Sequence, residues 1–305
     1  MSSNNLPTIK HLVLSGGGPS MIQTLGALQH LEEDKFINLD KIETIYGTSA
    51  GAIIGVLLCL KFDWETLSDY IIKRPWHEVF PVKVQQIFDV YSKKGVFDEQ
   101  TIIKCFRPVL YAKNIDINIS LKDFFDYSKV ELHFFTFEVN NYQEEDISYL
   151  THPSLSLITA IHMSCAIPII MTPVCIENKF YIDGGVNANY PLKWCLPNKK
   201  EEEVLGFKNK YIETNDDINS SSSLIAFITT FIFKLINSKS SEKMSPKIPY
   251  EVMLDDIHHL SVGYMKSTLY SIQVREELYK SGMESGIKFL KEQCSKTELE
   301  CPSSV

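Results

Sequence analysis

Arginine is scarce in this chain. It occurs only at Arg74, Arg107 and Arg275 among 30 basic residues, so planar, bidentate phosphate clamps are few. The formal net charge of −8 excludes binding to nucleic acid through a general basic field. The seven cysteines, Cys59, Cys105, Cys165, Cys175, Cys195, Cys294 and Cys301, include no Cys-x-x-Cys pair and no His/Cys cluster. That predicts no metal site and fits a reducing setting. The opening MSSNNLPTIK has no apolar segment of the secretory type, and the longest apolar stretch, Leu224–Phe233 within SLIAFITTFIFKLI, is too short to span a bilayer. An intracellular, cytoplasmic protein is expected, with contact to membranes only from their surface.

What is present makes a sizeable core. Of 305 residues, 44% are hydrophobic and 22% charged. One domain is expected over 10–293, with a flexible stretch at 1–9, a mobile Ser/Lys-rich loop at 237–247 and a frayed end at 294–305. His11–Leu14 reads as a buried strand ending in a Gly-rich turn, followed by a helix with Ile22, Leu25, Leu28 and Leu31 on one face. The pattern repeats with a strand at 42–46, the turn Gly47-Thr48-Ser49 and an apolar helix to about Leu60. Two strand–turn–helix units predict an α/β sheet with parallel strands. Residues 64–112 read as helical, broken at Pro75, Pro81, Gly95 and Pro108. Further helices are expected at 121–127, 154–165, 224–236 and 273–293. Strands are expected at 131–139, 147–150, 180–182 and 204–207.

Three turns carry chemical potential. In Ser15-Gly16-Gly17-Gly18, bare backbone at a strand end can point N–H groups at an anion, aided by the helix that follows. It is no phosphate loop, lacking Gly-Lys-Ser/Thr, and no dinucleotide fingerprint, because GGGPSM lacks the last glycine. An oxyanion hole and a plain tight turn remain. Ser49, in GTSAG at 47–51, is either a nucleophile on a sharp elbow flanked by small residues or a helix N-cap. Asp183 in Asp183-Gly184-Gly185 is either a turn residue or a carboxylate held at a strand end. A serine nucleophile needs a base. The eight histidines are His11, His30, His77, His133, His152, His162, His258 and His259. None has a recognisable catalytic setting, and a Ser–His–Asp triad in hydrolase order would need His258 or His259.

Taken together, LSGGG at 14–18, GTSAG at 47–51, SCAIPIIMTPV at 164–174 and DGGVNANYPL at 183–192 make the chain resemble the patatin-like phospholipases, Ser–Asp dyad lipid acyl hydrolases. The likeness covers about residues 10–210. It implies a three-layer α/β/α sandwich with a central, mainly parallel sheet. It also implies Ser49 as nucleophile, Asp183 as base, and the backbone of Gly16, Gly17 and Gly18 as oxyanion hole. Gly47, Gly51, Gly184 and Gly185 would support the two loops. No cofactor or metal is implied, and the partner would be a membrane lipid. The family form GGGxRG is not kept: Ser20 and Met21 stand where a cation and a glycine are usual. That departure leaves open a weakly active lipid-binding protein. An acyltransferase on the same dyad, with an alcohol in place of water, is also left open. The 224–236 helix and Phe62, Trp64, Trp76, Phe80, Phe88, Tyr91 and Phe97 are candidates for lipid contact, with core packing as the alternative. A carboxylate of ordinary pKa is a weak base for a serine, so Asp183 should be partly buried.

Overall fold

The computed structural model describes residues 7–82, 90–211, 218–220, 222, 224–240, 246–258 and 261–300. Phe88, His259 and Cys301 lie outside them. The first unit is β1 (His11–Leu14) and α1 (Met21–Glu33); the second is β2 (Thr44–Thr48) and α2 (Ala50–Cys59). Then come α3 (Trp64–Lys73), α4 (Trp76–Val79), β3 (Gly95–Phe97), α5 (Glu99–Ala112), α6 (Leu121–Ser128), β4 (Glu131–Glu138), β5 (Gln143–Ile147) and α7 (Leu157–Cys165). The rest is β6 (Ile169–Met171), β7 (Val174–Ile176), β8 (Lys179–Asp183), α8 (Leu192–Cys195), β9 (Val204–Tyr211), α9 (Leu224–Ser240), β10 (Tyr250–Ile257), α10 (Val262–Tyr270) and α11 (Ile272–Glu300).

The main sheet is mixed, with the hydrogen-bonded path β10-β9-β1-β2-β4-β8-β7 and β5 beside β4. The first five strands are parallel. Strand residues alternate between two faces. Leu12, Leu14, Ile45, Phe134, Leu205 and Phe207 join the large core beneath α1, α2 and α11, while Val13, Tyr46, Phe135 and Val204 face Tyr190, Leu192, Trp194 and Cys195 on the other side. Both faces are covered, so the strands read as continuous apolar runs. This is the expected α/β/α sandwich.

Register places two turns together. Phe134 and Phe135 pair with both β2 and β5, and Thr136, Phe137 and Glu138 pair with both β5 and β8. A strand has two hydrogen-bonding edges, so β2 and β8 share one edge of β4, end to end. Thr48 lies opposite Phe135 and Asp183 opposite Thr136, so the chain leaves β2 at Ser49 where β8 arrives at Asp183.

Several boundaries differ from the expected ones. Pro108 lies inside α5 rather than ending it. A proline frees the carbonyl four residues back, and here the Lys104 carbonyl accepts from Arg74 Nη2 at 2.8 Å, which satisfies it. Ile9, expected in a flexible tail, is buried in the core. The apolar helix runs to Ser240 and the last helix to Glu300, each reaching into the loop or frayed end expected there. Residues 241–245 lie outside the described ones. The strand expected at 147–150 occupies 143–147 instead, and β10 and α10 had no counterpart in the sequence reading.

His133 is structural. Its ring stacks on Tyr46 at 4.3 Å between centroids, Nδ1 donates to Asp146 at 2.8 Å and Nε2 to Glu131 at 2.8 Å. Burial pulls the imidazolium pKa down, but the Asp146 and Glu131 carboxylates outweigh it and push it up to about 9. A raised folded-state pKa gives stability that is complete below the unfolded value near 6.5 and lost as pH rises through about 9. His133→Gln should cost about 3–5 kcal/mol near neutrality, since two carboxylates lose their shared cation. Urea midpoints at pH 6 and pH 9 should differ less in the variant than in the natural protein.

Candidate active site

Ser49 has φ 53° and ψ −118°, a conformation that L residues avoid, and its side chain caps no helix amide. It occupies the N-cap position of α2 without a side-chain cap. The strain, about 1–3 kcal/mol for such a residue, must be held from outside. The Ser49 N–H donates to Ser164 Oγ at 2.9 Å, and Ser164 Oγ donates to the Phe135 carbonyl at 2.8 Å. Thr48 Oγ1 donates to the Ala188 carbonyl at 2.7 Å, tying the elbow to the loop after Asp183. Supporting glycines sit where side chains would collide. A Cβ on Gly51 would strike the Leu14 carbonyl, one on Gly47 would lie 2.6 Å from the Ala52 nitrogen, and one on Gly184 would strike the Phe135 carbonyl. A Cβ on Gly185 would lie 2.9 Å from Asp183 Oδ1.

Asp183 is 1% exposed. Its N–H donates to the Ala166 carbonyl at 3.0 Å, and its Oδ1 accepts from the Gly185 N–H at 2.7 Å. Burial pushes its pKa up to about 7, against the pull of the Ser49 hydroxyl and the Gly185 N–H. Oδ2 is buried and, among the described residues, has no hydrogen-bond partner. The Gly185 N–H holds Oδ1, which leaves Oδ2 open to a proton. Cys165 senses both groups. Burial raises its thiol pKa, the Asp183 charge adds to that and the Ser49 hydroxyl opposes it.

The triple-glycine turn lies against the serine: a Cβ on Gly16 would be 3.2 Å from Ser49 Cβ. Gly18 has φ 56°, which favours glycine. The three amides are not equivalent. The Gly16 N–H is already donated to the Asn189 carbonyl at 2.9 Å. No hydrogen bond among the described residues uses the N–H of Gly17 or Gly18. Ser20 is buried, and Met21 faces a cavity.

That cavity is almost wholly apolar, about 210 Å³, and starts at Gly18, Pro19 and Ile53 beside the elbow. Trp76, Phe80 and Phe97 also line this cavity. Phe62 and Trp64 border a separate cleft that contains neither Ser49 nor Asp183. Two of the three arginines are taken up by backbone: Arg275 donates to the carbonyls of Ile72 (2.6 Å) and Thr268 (2.6 Å), and Arg74 to Lys104. Of the two histidines suited to a triad, His258 is exposed with its ring tilted against Tyr264. Sequence reasoning gave no role to Ser164, Asn189 or Asn209. The first two lie in quoted motifs, whereas Asn209 has no local signal.

The chain is 30% identical over 198 residues to a probable lipid hydrolase, 463L, of Invertebrate iridescent virus 6, covering 64% of this chain and 66% of that one. It is 27% identical over 211 residues to the uncharacterized protein YqhO of Bacillus subtilis (strain 168), covering 64% and 69%. The chain thus spans about two thirds of the length of these relatives. VipD of Legionella pneumophila shares the fold, with TM-score 0.58 and 17% identity, over 94% of this chain and 67% of that one. The family model for patatin-like phospholipases matches residues 12–195, a span that holds the glycine turn, the serine elbow and the Asp183 loop. By that match over more than half its length, the chain belongs to the patatin-like phospholipase family.

Proposed function

We propose that the chain is a metal-independent serine hydrolase of fatty acyl esters in phospholipids, working through Ser49, Asp183 and the amides of Gly17 and Gly18. The observation that carries this reading is a strained serine and a buried carboxylate of raised pKa, brought end to end on one edge of β4. Asp183 accepts the Ser49 proton as Ser49 Oγ attacks the ester carbonyl. The Gly17 and Gly18 N–H groups receive the negative charge on the carbonyl oxygen. The C–O bond to the alcohol breaks, and the alcohol leaves with the proton from Asp183. Water then gives its proton to Asp183 and attacks the acyl-enzyme; the fatty acid leaves and Ser49 recovers its proton. The apolar cavity beside Gly18 and Ile53 suits the acyl chain. Release of fatty acid from phosphatidylcholine vesicles by the natural protein tests the reading; no release from any phospholipid headgroup class would contradict it.

The lipid surface would meet α9. Its inner residues Phe233 and Ile236 pack with Ile167 and Val186. Its outer residues Leu224, Phe227 and Phe231 are 73%, 49% and 52% exposed. Exposed aromatic residues on such a helix favour an interface. Phe227→Asp with Phe231→Asp should lower vesicle binding by roughly ten- to a hundredfold, on the scale of burying such side chains, and leave hydrolysis of a short soluble ester unchanged. Flotation with vesicles and the ester assay check both halves.

A further inference from the structure

The carbonyl of Gly16 and the N–H of Gly17 belong to one planar trans peptide, so they point in opposite directions. Whatever fixes the carbonyl therefore aims the N–H. Two side-chain amides hold it: Asn189 Nδ2 donates at 3.1 Å and Asn209 Nδ2 at 2.8 Å. Asn189 comes from the Asp183 loop, but Asn209 comes from the far end of β9, beyond the family-model match. Asn209 is 5% exposed, and its Nδ2 also reaches Ser20 Oγ at 3.1 Å. Ser20 occupies the position where a cation is usual in GGGxRG. In this chain a neutral serine–asparagine contact secures the turn there. The arrangement is not chosen for stability alone, because Asn209 Oδ1 is buried without a partner among the described residues.

We infer that Asn209 is a positioning residue of the oxyanion hole. It locks the Gly16–Gly17 peptide so that the Gly17 N–H faces away from the asparagine pair and toward the oxygen developing beside Ser49. By donating to the carbonyl of the same peptide, it also polarises that N–H into a stronger donor. Asn209 touches no substrate and acts through the glycine turn. The inference rests on the reading of Ser49 as nucleophile.

Asn209→Ala and Asn209→Asp, both lacking the amide donor, test it in the full chain. Each should lower kcat for phospholipid hydrolysis by about ten- to a hundredfold, with KM unchanged, since removing a direct oxyanion donor costs about 10²–10³. Affinity for a trifluoromethyl ketone, which forms an oxyanion on the serine, should fall by the same factor. Affinity for a non-hydrolysable ether phospholipid should not change. A residue that only supported the fold would not split these readouts. Natural kcat in both variants, or a fall in kcat without the matching loss of ketone affinity, would overturn the inference. If neither variant folds, Ser20→Ala removes one acceptor that orients the Asn209 amide and should lower kcat at least threefold with the same split; no change there overturns it as well. Failure of the parent reading looks different, because hydrolysis would then survive Ser49→Ala.

Discussion

Ser49→Ala is expected to abolish fatty-acid release, with kcat lower by on the order of 10⁴–10⁶, the range for losing a serine nucleophile. The fold should survive, because the hydroxyl is not used as a helix cap and the backbone at 49 is held through its N–H by Ser164. Ser49→Gly separates chemistry from strain. At φ 53° glycine relieves a conformation that costs other residues about 1–3 kcal/mol. The glycine variant should be as inactive as the alanine variant, yet melt at a higher temperature than either the alanine variant or the natural protein. Fatty-acid release and thermal melts of the three proteins check the pair of effects. Equal melting of all three would mean that the elbow stores no strain.

Asp183→Asn should lower kcat by about 10⁴, the scale for disabling a buried carboxylate in a serine triad. Because the carboxyl titrates near 7 and must be ionised to take a proton, kcat/KM of the natural protein should rise about tenfold per pH unit below 7 and level off above it. The stability effect has the opposite sign. The unfolded aspartate titrates near 4, so the folded state binds the proton more tightly and loses stability as pH climbs from about 4 to 7. Above pH 7 the buried charge costs up to about 4 kcal/mol, from roughly three units at about 1.4 kcal/mol each. Asparagine avoids that cost. The variant should therefore be more stable than the natural protein at pH 8 and close to it at pH 4.5. An active site that destabilises its own fold in this way is a common trade. Denaturant midpoints at the two pH values, with the pH–rate profile, test both signs.

The serine elbow and the glycine turn were legible because each is a local strand–turn–helix unit whose small residues have steric reasons to be there. Asp183 was legible only in combination, since Asp-Gly-Gly alone describes an ordinary turn. The end-to-end meeting of β2 and β8 is a long-range register, and no local pattern encodes it. Asn209 is a polar residue near a strand end, common in any sheet; its role appears only when the Gly16 carbonyl is seen beside it. Pro108 misled for a related reason: the guanidinium that satisfies the Lys104 carbonyl comes from Arg74, just past the end of α3 and 30 residues away in sequence. The use of the Gly16 N–H was equally hidden, because its partner is a backbone carbonyl 173 residues on.

A fluorophosphonate probe followed by intact-mass and peptide mapping tests the central claim most directly, because it reports the nucleophile and its activation without knowledge of the lipid. One adduct per chain is predicted, on Ser49, forming faster as pH rises toward about 7 and then at a constant rate, and nearly absent in Asp183→Asn. An adduct on any other residue, or labelling of Asp183→Asn at the natural rate, would contradict it.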